Sequence, residues 1–152
     1  MSVRRAETRD LPQVAAMFDA YRQFYEQPAD LPLATQFIND RLAHQDSVIL
    51  VGVQGDQLTG FCQLYPSFCS VLAQPIFTLY DLYVTPAARG RGLGRRLLHA
   101  AHDHAASEGY ARLDLTTARN NHVAQALYAS EGWLLDEVFL TYTKTVTPRP
   151  QT

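Results

Sequence analysis

From Leu82 to Leu98 the chain reads Leu-Tyr-Val-Thr-Pro-Ala-Ala-Arg-Gly-Arg-Gly-Leu-Gly-Arg-Arg-Leu-Leu, with Gly90, Gly92 and Gly94 alternating with Arg89, Arg91, Leu93 and Arg95. Glycines so placed let a turn bare its peptide N–H groups without a Cβ in the way, and a helix opening there adds further donors at its positive end. Arg89, Arg91, Arg95 and Arg96 add four guanidinium groups. The physical expectation is an anionic ligand; the alternative is a plain tight turn. No Gly-Lys-Ser/Thr ending follows, which argues against a triphosphate held with magnesium. No acidic residue ends the next strand to grip a ribose, which argues against a dinucleotide.

A second group lies downstream. Asn121, Ala124 and Tyr128 are spaced i, i+3 and i+7 and share one face of a short helix. His99 and His102 have a spacing that could suggest a metal, but no carboxylate or cysteine completes a ligand set, so no metal is expected. Cys62 and Cys69 have no paired-base motif and read as ordinary thiols on either side of a Tyr65-Pro66-Ser67 turn.

Together these segments resemble a known family. Arg89-x-x-Gly92-x-Gly94 after Leu82-Tyr83-Val84 is similar to the acetyl-CoA signature of the GCN5-related N-acetyltransferase (GNAT) superfamily, Arg/Gln-x-x-Gly-x-Gly/Ala. Asn121-x-x-Ala124-x-x-Leu127-Tyr128-x-x-x-Gly132-Trp133 resembles that family's other recurring segment, with Trp in place of Phe. Tyr21-Arg22-Gln23-Phe24-Tyr25 followed by Pro28 is similar, less specifically, to the branch holding histone/polyamine and D-amino-acid acetyltransferases.

The resemblance implies roles. Leu82, Tyr83 and Val84 would pair through their main chain with the pantetheine arm of acetyl-CoA. The N–H groups of Arg89, Gly90, Arg91, Gly92, Leu93, Gly94 and Arg95 would hold its diphosphate. Asn121 would contact the arm, Ala124 would leave it room, and Tyr128 beside the sulfur would be the general acid protonating the leaving thiolate. The attacking amine needs a base. Some relatives place Glu immediately before Asp-Leu-Tyr-Val, where this chain has Tyr80. Glu26, Asp81 and Tyr80 acting through water all stay open for that role. Apart from the resemblance, Tyr25 and Tyr142, with Phe24, are the aromatic side chains that suit the wall of an acceptor slot, with core packing the stronger reading for Phe24.

These residues need a scaffold. Val3–Ala6 reads as a first strand. A helix with Thr8 or Asp10 as its N-cap and Val14, Met17, Phe18, Tyr21 and Tyr25 on one face comes next, then a proline-broken loop and a second helix to His44. Strands follow over 47–53, 58–65 and 76–84, with Gly55-Asp56 turning the hairpin. A third helix from Gly92 shows Leu93, Leu97, Ala100, Ala101 and Ala105 inward and closes at Gly109. A strand around Leu113 and Leu115, a helix over 121–131 and a last strand carrying Val138, Leu140 and Tyr142 complete the order. The expectation is an α/β GNAT fold. It has a mostly antiparallel sheet of six to seven strands, a parallel pair at the acetyl-CoA site and about four helices on both faces.

The 152 residues are 47% hydrophobic and 18% charged with net charge −2, which suits one domain over 1–146 with a flexible tail over 147–152. That charge excludes a strongly basic nucleic-acid surface, and no apolar stretch is long enough to span a bilayer. A soluble, cytoplasmic N-acetyltransferase is expected, using acetyl-CoA as co-substrate and a primary amine of a small molecule or amino acid as acceptor, with homodimerisation allowed. The alternatives are acetylation of a protein N-terminus or lysine, and a non-catalytic CoA-binding module.

Overall fold

The computed structural model describes residues 1–151, and its chain divides into two compact units, Met1–Thr116 and Thr117–Thr152. In the first unit the elements run β1 (Ser2–Arg5), α1 (Leu11–Phe24), α2 (Leu31–His44), β2 (Val48–Gln54), β3 (Gln57–Cys69), β4 (Gln74–Val84), α3 (Leu93–Ser107) and β5 (Leu113–Asp114). The sheet order is β1-β2-β3-β4-β5, antiparallel except for the β4–β5 pair. That parallel pair spans the glycine loop and α3, as a strand–helix–strand crossover requires.

Alternation along the strands separates two cores. Ile49, Val51 and Phe61 pack with Val14, Met17 and Phe18 of α1 and Ala34 and Ile38 of α2. The intervening positions Gly52, Gly60 and Cys62 meet α3 instead. Leu93 lies over both glycines, and the Cys62 thiol donates to the Leu97 carbonyl at 4.0 Å. The α1 stripe arises from apolar residues three and four apart, and Pro12 and Pro32 sit in the first turns of α1 and α2, where a missing N–H costs no helical hydrogen bond.

β4 is the strand whose local geometry matters most. Its partner across β3 shifts register between Gln63 and Leu64: Asp81 opposes Gln63 and Leu79 opposes Leu64, leaving Tyr80 without a partner. This bulge turns the strand over. Leu79 stays with Leu64 on the α3 side, whereas Asp81, two residues on, joins Gln63 on the side of α1 and α2. The ladder to β5 pairs only Phe77 with Leu113 and Thr78 with Asp114. Within the first unit, β4 therefore runs from Leu79 to Val84 with no strand on its β5-side edge.

In the second unit, α4 (His122–Ser130) is capped by Asn121, whose side-chain oxygen accepts the Ala124 N–H at 3.2 Å. It ends at Gly132, whose positive φ of 85° lets the Trp133 N–H return to the Tyr128 carbonyl. Among the described residues no helix is long and apolar enough to cross a membrane.

Four expectations need correction. Among the described residues the sheet has five strands, not six to seven. The segment holding Val138, Leu140 and Tyr142 alternates like a strand, yet the Val138 and Phe139 amides are taken by the Asp136 carboxylate at 2.8 and 3.0 Å in a local turn. Tyr65-Pro66-Ser67 is not a turn: β3 continues to Cys69, with Pro66 opposite Phe77. The β2 ladder has already ended at Leu64, so Pro66 sits where β3 is an edge strand and the missing donor is tolerated. Asp10 occupies the N-cap position of α1, but its carboxylate makes no cap bond to the helix. It accepts from the Glu7 N–H and from both Nη atoms of Arg4. Of the expected tail, residues 147–151 carry no regular structure and Thr152 lies outside the described residues.

Candidate functional site

The glycine loop leaves β4 through a single 3-10 turn at Pro86–Ala88 and enters α3 at Leu93. Gly90 and Gly92 have φ of 76° and 82°, values an L side chain resists, and a Cβ at either would point into open space. The first bond into the helix runs from the Arg96 N–H to the Gly92 carbonyl, so the Leu93, Gly94 and Arg95 amides precede any intrahelical acceptor. Gly92 as N-cap has no side chain to satisfy them. Leu93 itself is buried over Gly52 and Gly60 and anchors the helix start to the sheet.

The arginines divide. Arg89 folds back: its Nε donates to the Val84 carbonyl at 2.9 Å, and its guanidinium lies 5.8 Å from the Tyr83 ring centroid. It thereby ties the end of β4 to the loop. Arg96 donates to the Met1 carbonyl at 2.6 Å, away from the turn. Arg91 is exposed on the loop.

Leu82, Tyr83 and Val84 occupy the last paired positions of β4, opposite Cys62, Phe61 and Gly60. All three are half-buried. Their outer edge has no strand beside it in the first unit. An extended ligand arm can therefore hydrogen-bond to their main chain while the side chains still pack.

On the α1 and α2 side of the bulge lies a cluster of phenols around one carboxylate. The Tyr21 hydroxyl donates to the Tyr80 carbonyl at 3.1 Å and the Tyr25 ring meets the Tyr21 ring edge-on at 5.1 Å. The Tyr80 and Tyr65 rings meet edge-on at 5.4 Å. Asp81, 4% exposed, accepts from Gln63 Nε2 at 2.7 Å, and the Ser47 hydroxyl donates to Gln63 Oε1 at 2.8 Å. Burial raises the Asp81 pKa; the Gln63 and Tyr21 hydrogen bonds oppose this without cancelling it. Burial also raises the Tyr21 and Tyr65 phenols, with the Asp81 charge adding to the effect, so both remain neutral donors.

The structure thus gathers Tyr25, Tyr80 and Asp81 around Tyr21. Glu26, just past α1 at φ 64°, is exposed on the loop to α2. Tyr142 lies in the second unit outside any strand, and Phe24 is 64% exposed rather than packed in the core. Asn121 is committed through its oxygen to capping α4, which leaves its amide hydrogens for another partner. Ala124 and Tyr128 follow on that helix, and the Tyr128 ring lies 6.0 Å from Trp133. The sequence assigned no role to Gln63 and Ser47, and placed Tyr21 in an apolar stripe and in the Tyr21–Tyr25 resemblance without a role at the site. A signal existed: Gln63 interrupts the inward-facing series Phe61, Gln63, Tyr65 in a strand otherwise apolar at those positions.

The chain is similar to known proteins over most of its length. The family described as Acetyltransferase (GNAT) matches residues 14–133. An uncharacterized N-acetyltransferase of Bacillus subtilis, YhfO, is 42% identical over 142 residues, 93% of this chain and 95% of the relative. The D-amino-acid N-acetyltransferase HPA3 of Saccharomyces cerevisiae is 32% identical over 84 residues, 55% of this chain and 52% of the relative. A crystal structure of a probable acetyltransferase superposes with TM-score 0.91 at 32% identity, covering 98% of this chain and all of that one. The chain belongs to the GNAT family and is an acetyl-CoA-dependent acetyltransferase.

Proposed function

We propose that the protein transfers the acetyl group of acetyl-CoA to the primary amine of a small molecule or amino acid, by direct attack in a ternary complex. One observation carries this reading: the glycine-lined start of α3, with Gly92 at its N-cap, directly follows the end of β4, whose ladder to β5 stops at Thr78 among the described residues. The amides from Gly90 to Arg95 would hold the diphosphate, the expected Arg89 N–H being taken by the Pro86 carbonyl at 3.3 Å, and the main chain of Leu82, Tyr83 and Val84 would align the pantetheine arm. Asp81, reached through water, would take one proton from the incoming ammonium. The freed amine would add to the thioester carbonyl; as the tetrahedral intermediate collapses the C–S bond breaks, and Tyr128 would give its proton to the departing sulfur and take the nitrogen's second proton in return, which restores the phenol.

Asp81 is preferred to Glu26 and Tyr80 because it is buried among phenols, with burial raising its pKa, whereas both other side chains are exposed. The ring of Tyr21, Tyr25, Tyr65 and Tyr80 suits an ammonium, which aromatic faces attract. The same reading takes residues 1–146 as one acetyltransferase domain. The free thiols Cys62 and Cys69 fit a reducing cytoplasm. A homodimer is proposed on the alternating Val138–Tyr142 segment, which has no ladder partner among the described residues; light scattering tests it. The decisive experiment measures CoA release against small amines, amino acids and peptides, with CoA binding followed by calorimetry. Turnover on a small amine supports the proposal. Turnover on peptides alone gives protein acetylation, and saturable CoA binding with no turnover gives a non-catalytic module.

A further inference from the structure

Ser47, Gln63 and Asp81 form a hydrogen-bonded row across three adjacent strands, from the residue before β2 through the middle of β3 to the bulge of β4. All three are buried, Gln63 completely. A fully buried carboxamide is uncommon in a strand that otherwise supplies core, and its two ends differ: one accepts, the other donates. Here the accepting oxygen meets the Ser47 hydroxyl and the donating nitrogen meets Asp81. The reversed amide would turn its oxygen on the carboxylate, acceptor against acceptor. The row therefore has a direction, and its donating end is aimed at the one buried carboxylate of the site.

We infer that Gln63, steadied by Ser47, is a positioning residue for acetyl transfer, gripping Asp81 Oδ2 from within the sheet so that the carboxylate keeps its charge and presents its other oxygen to the acceptor side. This rests on Asp81 being the proton acceptor proposed above. The remaining neighbours grip it less firmly or not at all. Tyr21 from α1 also bears on the carboxylate, but it has one hydroxyl hydrogen, and that hydrogen is shared with the Tyr80 carbonyl at 3.1 Å. Tyr65 and Cys62 from β3 are neutral, the thiol pushed up to about 12 by burial with Asp81 adding to it. Tyr80 is exposed at the bulge, and Arg41 is engaged with Asp46 at 2.8 Å.

The test is the pH profile of kcat/KM for the wild type, Asp81→Asn, Gln63→Met and Ser47→Ala, using the best amine from the acceptor panel. A base must be ionised, so the wild-type profile rises through the Asp81 pKa. Losing a hydrogen bond to the charged form moves that limb to higher pH, on the order of one pH unit for Gln63→Met and less for Ser47→Ala. In both variants the loss at neutral pH is largely regained in alkali, which a merely loosened core would not do. The carboxyl 13C shift of Asp81, titrated in wild type and Ser47→Ala, reads the same displacement without activity and decides the matter if Gln63→Met does not fold. If Asp81→Asn keeps the limb, the Asp81 assignment itself falls. If Asp81→Asn loses the limb while it stays in place in Gln63→Met and Ser47→Ala, the role of Gln63 is overturned and Asp81 stands.

Discussion

Gly60 faces the backbone carbonyl of Tyr83 so closely that a Cβ built on it would lie 2.8 Å from that oxygen. The contact joins the first part of β3 to the part of β4 on which the donor is proposed to lie. At Gly52 the three nearest atoms to a Cβ all belong to the Leu93 side chain, at 2.6, 2.9 and 3.2 Å, and a side chain can turn where a backbone cannot. Gly60→Ala should therefore cost more than Gly52→Ala, about 2–3 kcal/mol in urea denaturation, the upper part of the overpacking range. Because the displaced atom belongs to β4, Gly60→Ala should also raise KM for acetyl-CoA. A thermal midpoint equal to that of Gly52→Ala would count against this.

The same strand shows what can be read from a sequence and what cannot. Its β-branched and aromatic composition marks it as a strand, and the glycines after it mark a ligand-binding turn, because both are local preferences. The bulge at Tyr80 is a property of two strands in register, and no residue type announces it. Simple alternation would put Leu79, Asp81 and Tyr83 on one face, yet the bulge sends Leu79 to the other. The Ser47–Gln63–Asp81 row was hidden for the same reason, since its members lie 16 and 18 residues apart. The Val138–Tyr142 segment fails the other way: alternation is present, but a strand exists only where a neighbour offers a ladder, and Asp136 holds the local amides instead. Family motifs located Arg89 without revealing its tether to Val84.

That tether makes a prediction. Arg89 is exposed, so its loss should barely change folding stability. It should, however, release the loop from the end of β4 and remove a cation beside the proposed diphosphate site. Arg89→Ala is expected to weaken CoA binding roughly tenfold by calorimetry, about the worth of one charge-assisted hydrogen bond. Arg89→Lys should recover little, because an ammonium cannot both bond to the Val84 carbonyl and lie flat toward the Tyr83 ring.

Tyr128→Phe separates chemistry from binding. The ring stays to pack near Trp133, and only the hydroxyl is lost. If the phenol protonates the departing sulfur, kcat should fall by roughly a hundredfold or more while CoA affinity changes little. Equal losses in kcat and CoA affinity would instead give Tyr128 a packing or binding role.

The two buried aspartates should respond to pH with opposite signs. The two Arg4 hydrogen bonds hold Asp10 below the ordinary carboxylate value of 3.8, against the opposing effect of burial. Its contribution is therefore present above that value and is lost as pH falls through the folded-state pKa. Asp10→Asn should destabilise the protein by about 1–3 kcal/mol near neutrality, leaving Arg4 half-served, and should flatten the acid side of the stability curve. Burial raises Asp81, so its contribution is full below the ordinary carboxylate value and is lost as pH rises through the folded-state pKa. Asp81→Asn keeps an oxygen for Gln63 and removes the buried charge, so at neutral pH it should be as stable as the wild type or more so. Urea denaturation of both variants from pH 4 to pH 8 checks the pair. Parallel curves for the two would show that Asp81 is not carried as a buried carboxylate, and the base proposed here would have to be sought among Glu26 and Tyr80.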